Sequence, residues 1–69
     1  MIHVTVNGKR EDIARDTVLA EMLRRLGMSD DATGVAVAVN DTVVPRGGWT
    51  KRRLEEGDVI EIIRAVQGG

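Results

Sequence analysis

The last five residues, Ala65-Val66-Gln67-Gly68-Gly69, are the part of the sequence best suited to chemistry. Glycine has no Cβ, so a Gly-Gly end can enter a channel too narrow for other residues and lie against another backbone. Five residues reach about 17 Å when extended. The group that this segment delivers is the α-carboxylate of Gly69. We therefore predict a flexible tail over residues 65–69 that presents this carboxylate to another protein.

The Gly69 carboxylate needs activation before it can react. With a reference pKa of about 3.3–3.7 it is ionised at neutral pH and is a poor electrophile, and the simplest activated form is an acyl-adenylate. The chain has no Cys and no phosphate-binding loop, and Ser29 and His3 are the only residues of their kinds, so no nucleophilic constellation is available. We therefore expect a carrier or co-substrate of partner enzymes, not an enzyme, with no cofactor or metal of its own.

Size and charge limit the classes of partner. A chain of 69 residues forms one domain, and without Cys or a cluster of metal ligands it must rely on an economical fold. The net charge of -1 gives no general attraction to nucleic acid or to an anionic membrane. No apolar run has the length of a membrane span, and the first residues show no signal-peptide pattern. We expect a cytoplasmic protein with neither nucleic acid nor membrane as partner.

The N-terminal half predicts a hairpin followed by one helix. Residues 2–6 alternate apolar and polar, Asn7-Gly8 is a strong hairpin signal, and residues 9–14 are polar enough for an edge strand. Thr17 is the predicted N-cap of the helix, and Gly27 is predicted to end it in the left-handed conformation. The apolar face of this helix comprises Val18, Leu19, Met22, Leu23 and Leu26.

The C-terminal half predicts three strands. Residues 35–39 are apolar throughout, which predicts a strand covered on both faces or covered by a partner. Residues 42–44 form a short strand that Pro45 ends, a turn of helix is predicted over residues 50–54, and the last strand covers residues 59–63. We expect Trp49 to cap the core, and one side of residues 35–39, with Val59 or Ile63, to be an exposed docking patch.

The order strand, strand, helix, strand, strand, strand suits one compact architecture. A single amphipathic helix covers one face of a small mixed sheet of four to five strands, and the first and last strands lie side by side in parallel at its centre. This predicts an α+β protein with a ubiquitin-like β-grasp domain over residues 1–64. The flexible tail then follows as residues 65–69.

The C-terminal half resembles a known family. Residues 37–49 read V-A-V-N-D-T-V-V-P-R-x-x-W, residues 54–62 read L-E-E-G-D-V-I-E-I, and the end reads A-V-Q-G-G. The combination resembles the ThiS family of thiamine-biosynthesis sulfur carriers. The N-terminal half is similar only in its layout of strand, Asn-Gly turn and helix, and residues 28–34 match nothing in particular.

The resemblance implies a mechanism centred on Gly69. An E1-like adenylyltransferase adenylates its carboxylate with ATP, a protein persulfide formed by a cysteine desulfurase displaces AMP, and thiazole synthase takes the sulfur from the resulting thiocarboxylate. Without Cys, the chain cannot carry sulfur as its own persulfide. Arg64, at the root of the tail, and Arg46 are candidate contacts to acidic groups on partners, whereas Lys51-Arg52-Arg53 is interpreted as a solvated face.

Three alternatives remain open at this point. The first is a sulfur carrier of another pathway, such as molybdopterin synthesis, or a protein-conjugating modifier with the same Gly-Gly end. The second is a non-catalytic interaction domain whose tail has no function. The third is an S4-like RNA-binding module, because residues 39–44 and 56–60 resemble its strand-turn-strand part. A preceding hairpin, the charge of -1 and the lack of an aromatic stacking platform argue against the third.

Overall fold

The structure, a computed structural model, describes residues 1–28 and 34–64. The strands and helices of this part are β1 (Ile2–Val6), β2 (Lys9–Ile13), α1 (Leu19–Arg25), β3 (Val35–Val39), β4 (Thr42–Val44), a 3-10 helix (Arg46–Gly48) and β5 (Val59–Arg64). The five strands form one sheet in the order β2-β1-β5-β3-β4. Predictions about residues 29–33 and about the tail, residues 65–69, lie outside the described residues.

The sheet topology confirms the predicted ubiquitin-like β-grasp. β1 and β5 pair in parallel, and the other neighbouring strands pair antiparallel. The hairpin signal is confirmed, because Asn7 (φ 49°) and Gly8 (φ 81°) both adopt the left-handed conformation that suits a tight hairpin turn. β2 lies at the edge, as its polar sequence predicts, and Ile13 is its one fully buried residue. The last strand, β5, is therefore the central strand of the sheet, and the first strand, β1, lies beside it.

The predicted N-cap of the helix is wrong. α1 begins at Leu19 with Val18 at the N-cap position, and no side chain caps it. The Thr17 hydroxyl instead donates a hydrogen bond to the Ala14 carbonyl at 2.6 Å. The Thr17 carbonyl accepts the backbone N–H of Leu54 at 2.9 Å. Thr17 therefore joins the helix entry to a distant part of the chain.

The first N–H groups of the helix are satisfied by that same distant segment. The N–H of Leu19 donates to the Arg52 carbonyl at 2.8 Å, and the N–H of Ala20 donates to the Trp49 carbonyl at 2.9 Å. These are donors that an isolated helix leaves without partners. The predicted turn of helix over residues 50–54 is also wrong, because the 3-10 helix ends at Gly48. The backbone that follows supplies carbonyls to α1 instead.

The helix ends as the glycine predicts. Gly27 has φ 90°, its N–H donates to the Arg24 carbonyl at 3.0 Å, and the N–H of Met28 donates to the Leu23 carbonyl at 3.1 Å. This pair of hydrogen bonds is the Schellman arrangement. Leu26 is 41% exposed, so its place on the predicted apolar face is wrong. Leu26 is the C-cap residue, one position after α1 ends at Arg25.

The core lies between α1 and one face of the sheet. Trp49 is buried, and its indole N–H donates to the Val44 carbonyl at 2.9 Å, which confirms its predicted role as a cap of an otherwise aliphatic core. The buried core consists of Ile2, Val4, Val6, Ile13, Leu19, Met22, Leu23, Met28, Val37, Val39, Trp49, Leu54 and Ile60.

Candidate functional site

The predicted reactive group, Gly69, and the tail residues Ala65, Val66, Gln67 and Gly68 lie outside the described residues. The structure describes the strand from which they follow. β5 lies in the middle of the sheet and ends at Arg64. Its antiparallel register with β3 runs from Val39↔Ile60 to Val35↔Arg64, so β3 supports the strand to its last residue. On the other side, the parallel register with β1 stops at Val6↔Ile60.

The side chain of Asn7 extends this support beyond the end of β1. Its Oδ1 accepts the backbone N–H of Ile62 at 2.7 Å, and its Nδ2 donates to the Ile62 carbonyl at 3.3 Å. Sequence reasoning identified Asn7 only as a turn residue. No local sequence pattern could indicate this pairing, because Asn7 and Ile62 are 55 residues apart.

Asn40 makes a similar arrangement at the other end of β5. Its Oδ1 accepts the N–H of Val59 at 2.9 Å, and its Nδ2 donates to Oδ1 of the buried Asp58 at 3.0 Å. Asp58 also accepts the backbone N–H of Glu55 at 2.8 Å and pairs with the Arg52 guanidinium at 3.5 Å. The turn that begins β5 is thus held by a buried carboxylate with several donors.

The face of the sheet away from α1 carries an apolar patch. Ala36 and Ile63 are cross-strand neighbours, and Ala38 lies between Val43 and Glu61. Val43, Ile63 and Val59 are 65%, 56% and 44% exposed. We call Ala36, Val43, Val59 and Ile63 the open-face patch. On β3 the predicted exposed side is confirmed at Ala36, which is exposed, whereas Ala38 on the same face is buried. β3 is therefore covered on both faces at Ala38 and open at Ala36.

The other half of the open face is polar. The backbone N–H of His3 donates to Oε1 of Glu56 at 3.0 Å, and the ring Nδ1 lies 3.2 Å from Oε2 of the same carboxylate. The ring Nε2 lies 3.6 Å from the Asp12 carboxylate. The hydrogen bond from the His3 backbone is the largest cause that lowers the pKa of Glu56 below its ordinary value, and the His3 side chain and Arg10 lower it further.

The two candidate arginines lie at the end of the sheet where β5 ends. Arg64 pairs in register with Val35, and Arg46 follows β4, whose Val44 pairs with Val37. The Arg46 guanidinium lies 5.4 Å from the centroid of the Trp49 ring, a cation–π contact. Arg46 therefore also contributes to packing at the edge of the core.

The basic run predicted as a solvated face has acidic neighbours. Arg52 pairs with Asp58 at 3.5 Å, and the Arg53 guanidinium lies 3.8 Å from the Asp16 carboxylate. These pairs reduce the net positive charge of the surface, which weakens its fit to a phosphate backbone. Within residues 1–28 and 34–64, no three His, Asp or Glu side chains converge as metal ligands. No helix of the described chain is long and apolar enough to cross a membrane.

The sequence matches the model of the ThiS family over residues 4–69. The chain belongs to the ThiS family. It is 26% identical to the sulfur carrier protein ThiS of Escherichia coli K12 over 68 residues, which cover 99% of this chain and 100% of that protein. This agreement extends the family resemblance to the N-terminal half, where sequence reasoning found only a similar layout.

Solved ThiS structures have the same fold. The crystal structure of the thiamine biosynthesis protein ThiS from Geobacter metallireducens is similar with a TM-score of 0.82 and 28% identity, covering 99% of this chain and 100% of that one. A solution structure of a thiamine biosynthesis protein from the same organism gives a TM-score of 0.77 and 30% identity, covering 99% and 88%.

Proposed function

We propose that this chain is a sulfur carrier for the thiazole part of thiamine biosynthesis, with sulfur held as a thiocarboxylate on Gly69. The observation that carries the proposal is the ThiS family match over residues 4–69, which includes the Gly68-Gly69 end. The Escherichia coli relative is named a sulfur carrier protein. In this role the chain is a co-substrate, and partner enzymes supply every catalytic group.

The charging reaction has two chemical stages. An E1-like adenylyltransferase binds ATP, and a carboxylate oxygen of Gly69 attacks its α-phosphorus, releasing pyrophosphate and forming an acyl-adenylate. The terminal sulfur of a persulfide, made by a cysteine desulfurase or another donor, then attacks the acyl carbon and AMP leaves. A thiol cleaves the resulting acyl disulfide, so the Gly69 thiocarboxylate is released and the donor side becomes a disulfide. Thiazole synthase then transfers the sulfur to the thiazole precursor that it binds, and an oxygen from that precursor or from water restores the Gly69 carboxylate.

The position of β5 supports delivery of the terminal carboxylate. β5 is held by β3 to its last residue, Arg64, and by β1 and Asn7 on the other side. A five-residue tail after Arg64 has a reach of about 17 Å. That reach allows a catalytic centre to lie inside a partner while the folded domain stays at its surface. Because charging needs ATP and reduced thiols, we place the protein in the cytoplasm.

We further propose that the open-face patch docks the adenylyltransferase. Its three largest side chains, Val43, Val59 and Ile63, are 44–65% exposed on one face, around Ala38 and Glu61. Several exposed apolar side chains on one face mark an interaction surface. Arg64 follows Ile63 at the end of β5 and is exposed, but alternation along the strand starts its side chain on the other face of the sheet. Its contact to an acidic group of the partner would therefore lie beside the tail and not within the open-face patch. Arg46 lies at the same end of the sheet and would add a second such contact.

Intact mass spectrometry of the reconstituted charging reaction tests this function. The chain is incubated with ATP, the cognate adenylyltransferase, a cysteine desulfurase with cysteine, and a thiol reductant. The expected product is heavier by the difference between sulfur and oxygen, reacts with a thiol-specific label, and carries the change at Gly69. Loss of this sulfur on addition of thiazole synthase with its thiazole precursor, and no loss on addition of molybdopterin synthase with its pterin precursor, assigns the pathway.

The matched control is the chain without Gly68 and Gly69. It should fold with an unchanged Tm, because the described residues in or packed against the core all lie at or before Ile62, and it should not be charged. A complete reaction mixture that leaves the full chain unmodified would overturn the carrier function. Modification that persists in the shortened chain would place the reactive group elsewhere.

A further inference from the structure

We propose that Asn7 is a positioning residue for the delivery of the C-terminal carboxylate. Its side chain acts as the next residue of β1 and keeps β5 paired on both sides as far as Ile62, two residues before β5 ends at Arg64. The role in delivery rests on the proposed sulfur-carrier function. The pairing itself can be tested separately from that function.

The hydrogen-bond pattern of the parallel ladder shows what Asn7 replaces. In parallel pairing, the groups of one strand that face its neighbour belong to alternate residues. The N–H of Thr5 donates to the Asp58 carbonyl, and the N–H of Asn7 donates to the Ile60 carbonyl, both at 2.9 Å. The next residue in this series is Ile62. The backbone of β1 cannot reach it, because the chain turns away at Gly8 into β2.

The Asn7 side chain supplies both groups that a continuing β1 would have supplied. A backbone neighbour would offer Ile62 one carbonyl and one N–H, and the Asn7 amide offers Oδ1 at 2.7 Å and Nδ2 at 3.3 Å. The carboxamide carries an acceptor and a donor side by side on one carbon, which matches the N–H and the carbonyl of a single residue. Asparagine also tolerates the left-handed backbone, here φ 49°, better than most residues. The same residue therefore makes the turn and completes the ladder.

Asn40 provides a control built into the same fold. It has a similar backbone conformation, φ 51°, it lies in the other hairpin turn, and its side chain also binds β5. Its partner is Val59, at the start of β5, whereas Ile62 is close to the strand's end. Removing the two side chains therefore loosens the same strand at opposite ends.

The expected consequence for the reaction follows from the place of Ile62, two residues before β5 ends at Arg64. When the bonds to Ile62 are lost, the end of β5 keeps only β3 as a neighbour, and Arg64 samples more directions. Loss of orientation lowers the rate of the chemical step, because the carboxylate must reach the adenylation site in one geometry. The open-face patch keeps its arrangement, because β3 still pairs with β5 and holds Ile63 opposite Ala36. The effect should therefore appear in kcat and leave KM nearly unchanged.

Amide hydrogen exchange measured by NMR tests the pairing without any partner. The variants are Asn7→Gly, which allows the turn but removes the amide, and Asn40→Gly as the matched control. We expect Asn7→Gly to raise the exchange rate of the Ile62 amide about tenfold, the loss of one typical hydrogen bond, without a similar rise at Val59. Asn40→Gly should give the reverse pattern. An unchanged Ile62 rate, or an equal rise at Ile62 in both variants, would overturn the proposal.

Adenylation kinetics test the positioning role. AMP formation by the cognate adenylyltransferase is measured with wild type, Asn7→Gly, Asn7→Asp and Asn40→Gly. We expect kcat to fall about tenfold for Asn7→Gly with KM within about twofold, since orientation and not docking is lost. Asn7→Asp keeps an acceptor for the Ile62 N–H but loses the donor, so its kcat should lie between those of wild type and Asn7→Gly. If Asn7→Gly fails to fold, Asn7→Asp replaces it as the test variant. Asn40→Gly should keep the wild-type kcat.

The outcomes separate the two proposals. Faster Ile62 exchange with an unchanged kcat would overturn the positioning role of Asn7. Wild-type chain that is never adenylated would overturn the proposed function and the delivery role together, and the exchange experiment would still decide whether Asn7 completes the ladder. A fall in kcat of equal size in Asn7→Gly and Asn40→Gly would show a general loss of stability and overturn the specific role.

Discussion

Both faces of the sheet carry aliphatic side chains, but those on one face are buried in the core and the larger ones on the other face are exposed to solvent. On β5, Ile60 is fully buried against the core, whereas its neighbour Val59 and the later Ile63 are 44% and 56% exposed. The difference arises because α1 covers one face only, so alternate residues of one strand enter different surroundings. An apolar strand residue therefore stabilises the fold on one face, and on the other it is available to a partner.

The largest expected effect comes from truncation on the core face. Ile60→Ala should lower the free energy of unfolding by about 2–5 kcal/mol, because it removes apolar burial and leaves a cavity. The matched variant Ile63→Ala, on the open face, should cost less than about 1 kcal/mol through strand propensity alone. Urea unfolding followed by tryptophan fluorescence measures both. Similar losses for the two variants would contradict the division of the sheet into two faces.

The next effect concerns the polar turn that starts β5. Asp58→Ala should lower the free energy of unfolding by about 2–3 kcal/mol, because the Glu55 N–H and the Asn40 amide lose a buried acceptor. Asp58→Asn keeps the shape and should lose less. Glu61→Ala, a carboxylate on the open face, is the control for simple loss of charge. Equal stability changes in Asp58→Ala and Glu61→Ala would show that the buried network contributes nothing specific.

Polar substitution of the open-face patch should leave stability nearly unchanged and weaken docking. Ile63→Gln and Val43→Gln should each raise the Kd for the adenylyltransferase about tenfold, while unfolding changes by less than about 1 kcal/mol. Leu26→Gln is the matched control, since Leu26 is also exposed but lies at the end of α1. Calorimetric titration gives the affinities. Equal weakening by the control would place the docking surface elsewhere.

The smallest effect is a pH dependence on the polar half of the open face. The pKa of Glu56 is lowered by the His3 hydrogen bond, so Glu56 contributes stability above its ordinary pKa of 4.5, and this contribution is lost as pH falls through the lowered value. Glu56→Gln should therefore have a lower Tm than wild type near neutral pH, and the two Tm values should converge as the pH falls. A difference that grows as pH falls would contradict this assignment.

Much of the fold could be predicted because its signals are local. The alternation of residues 2–6, the Asn7-Gly8 turn and the terminating Gly27 each report a structure formed within a few residues. The helix start could not be predicted in this way. Thr17 has the residue type of an N-cap, but carbonyls of Trp49 and Arg52 satisfy the first N–H groups of α1. The backbone of residues 49–52 therefore caps the helix, where the local sequence predicts a side-chain cap.

The features of the candidate site also divide into those with a local signal in the sequence and those that depend on contacts between distant residues. The sequence by itself determined the order of strands and helix along the chain and the Gly68-Gly69 end, because residue type and short-range spacing carry that information. It also indicated the central place of the last strand, because that strand is strongly apolar. The tertiary structure alone decided that Asn7 pairs with Ile62 and that Ile63, not Ile60, is exposed. Those outcomes depend on which surfaces meet after the chain has folded, between residues as far as 55 apart, and no local pattern records such a meeting.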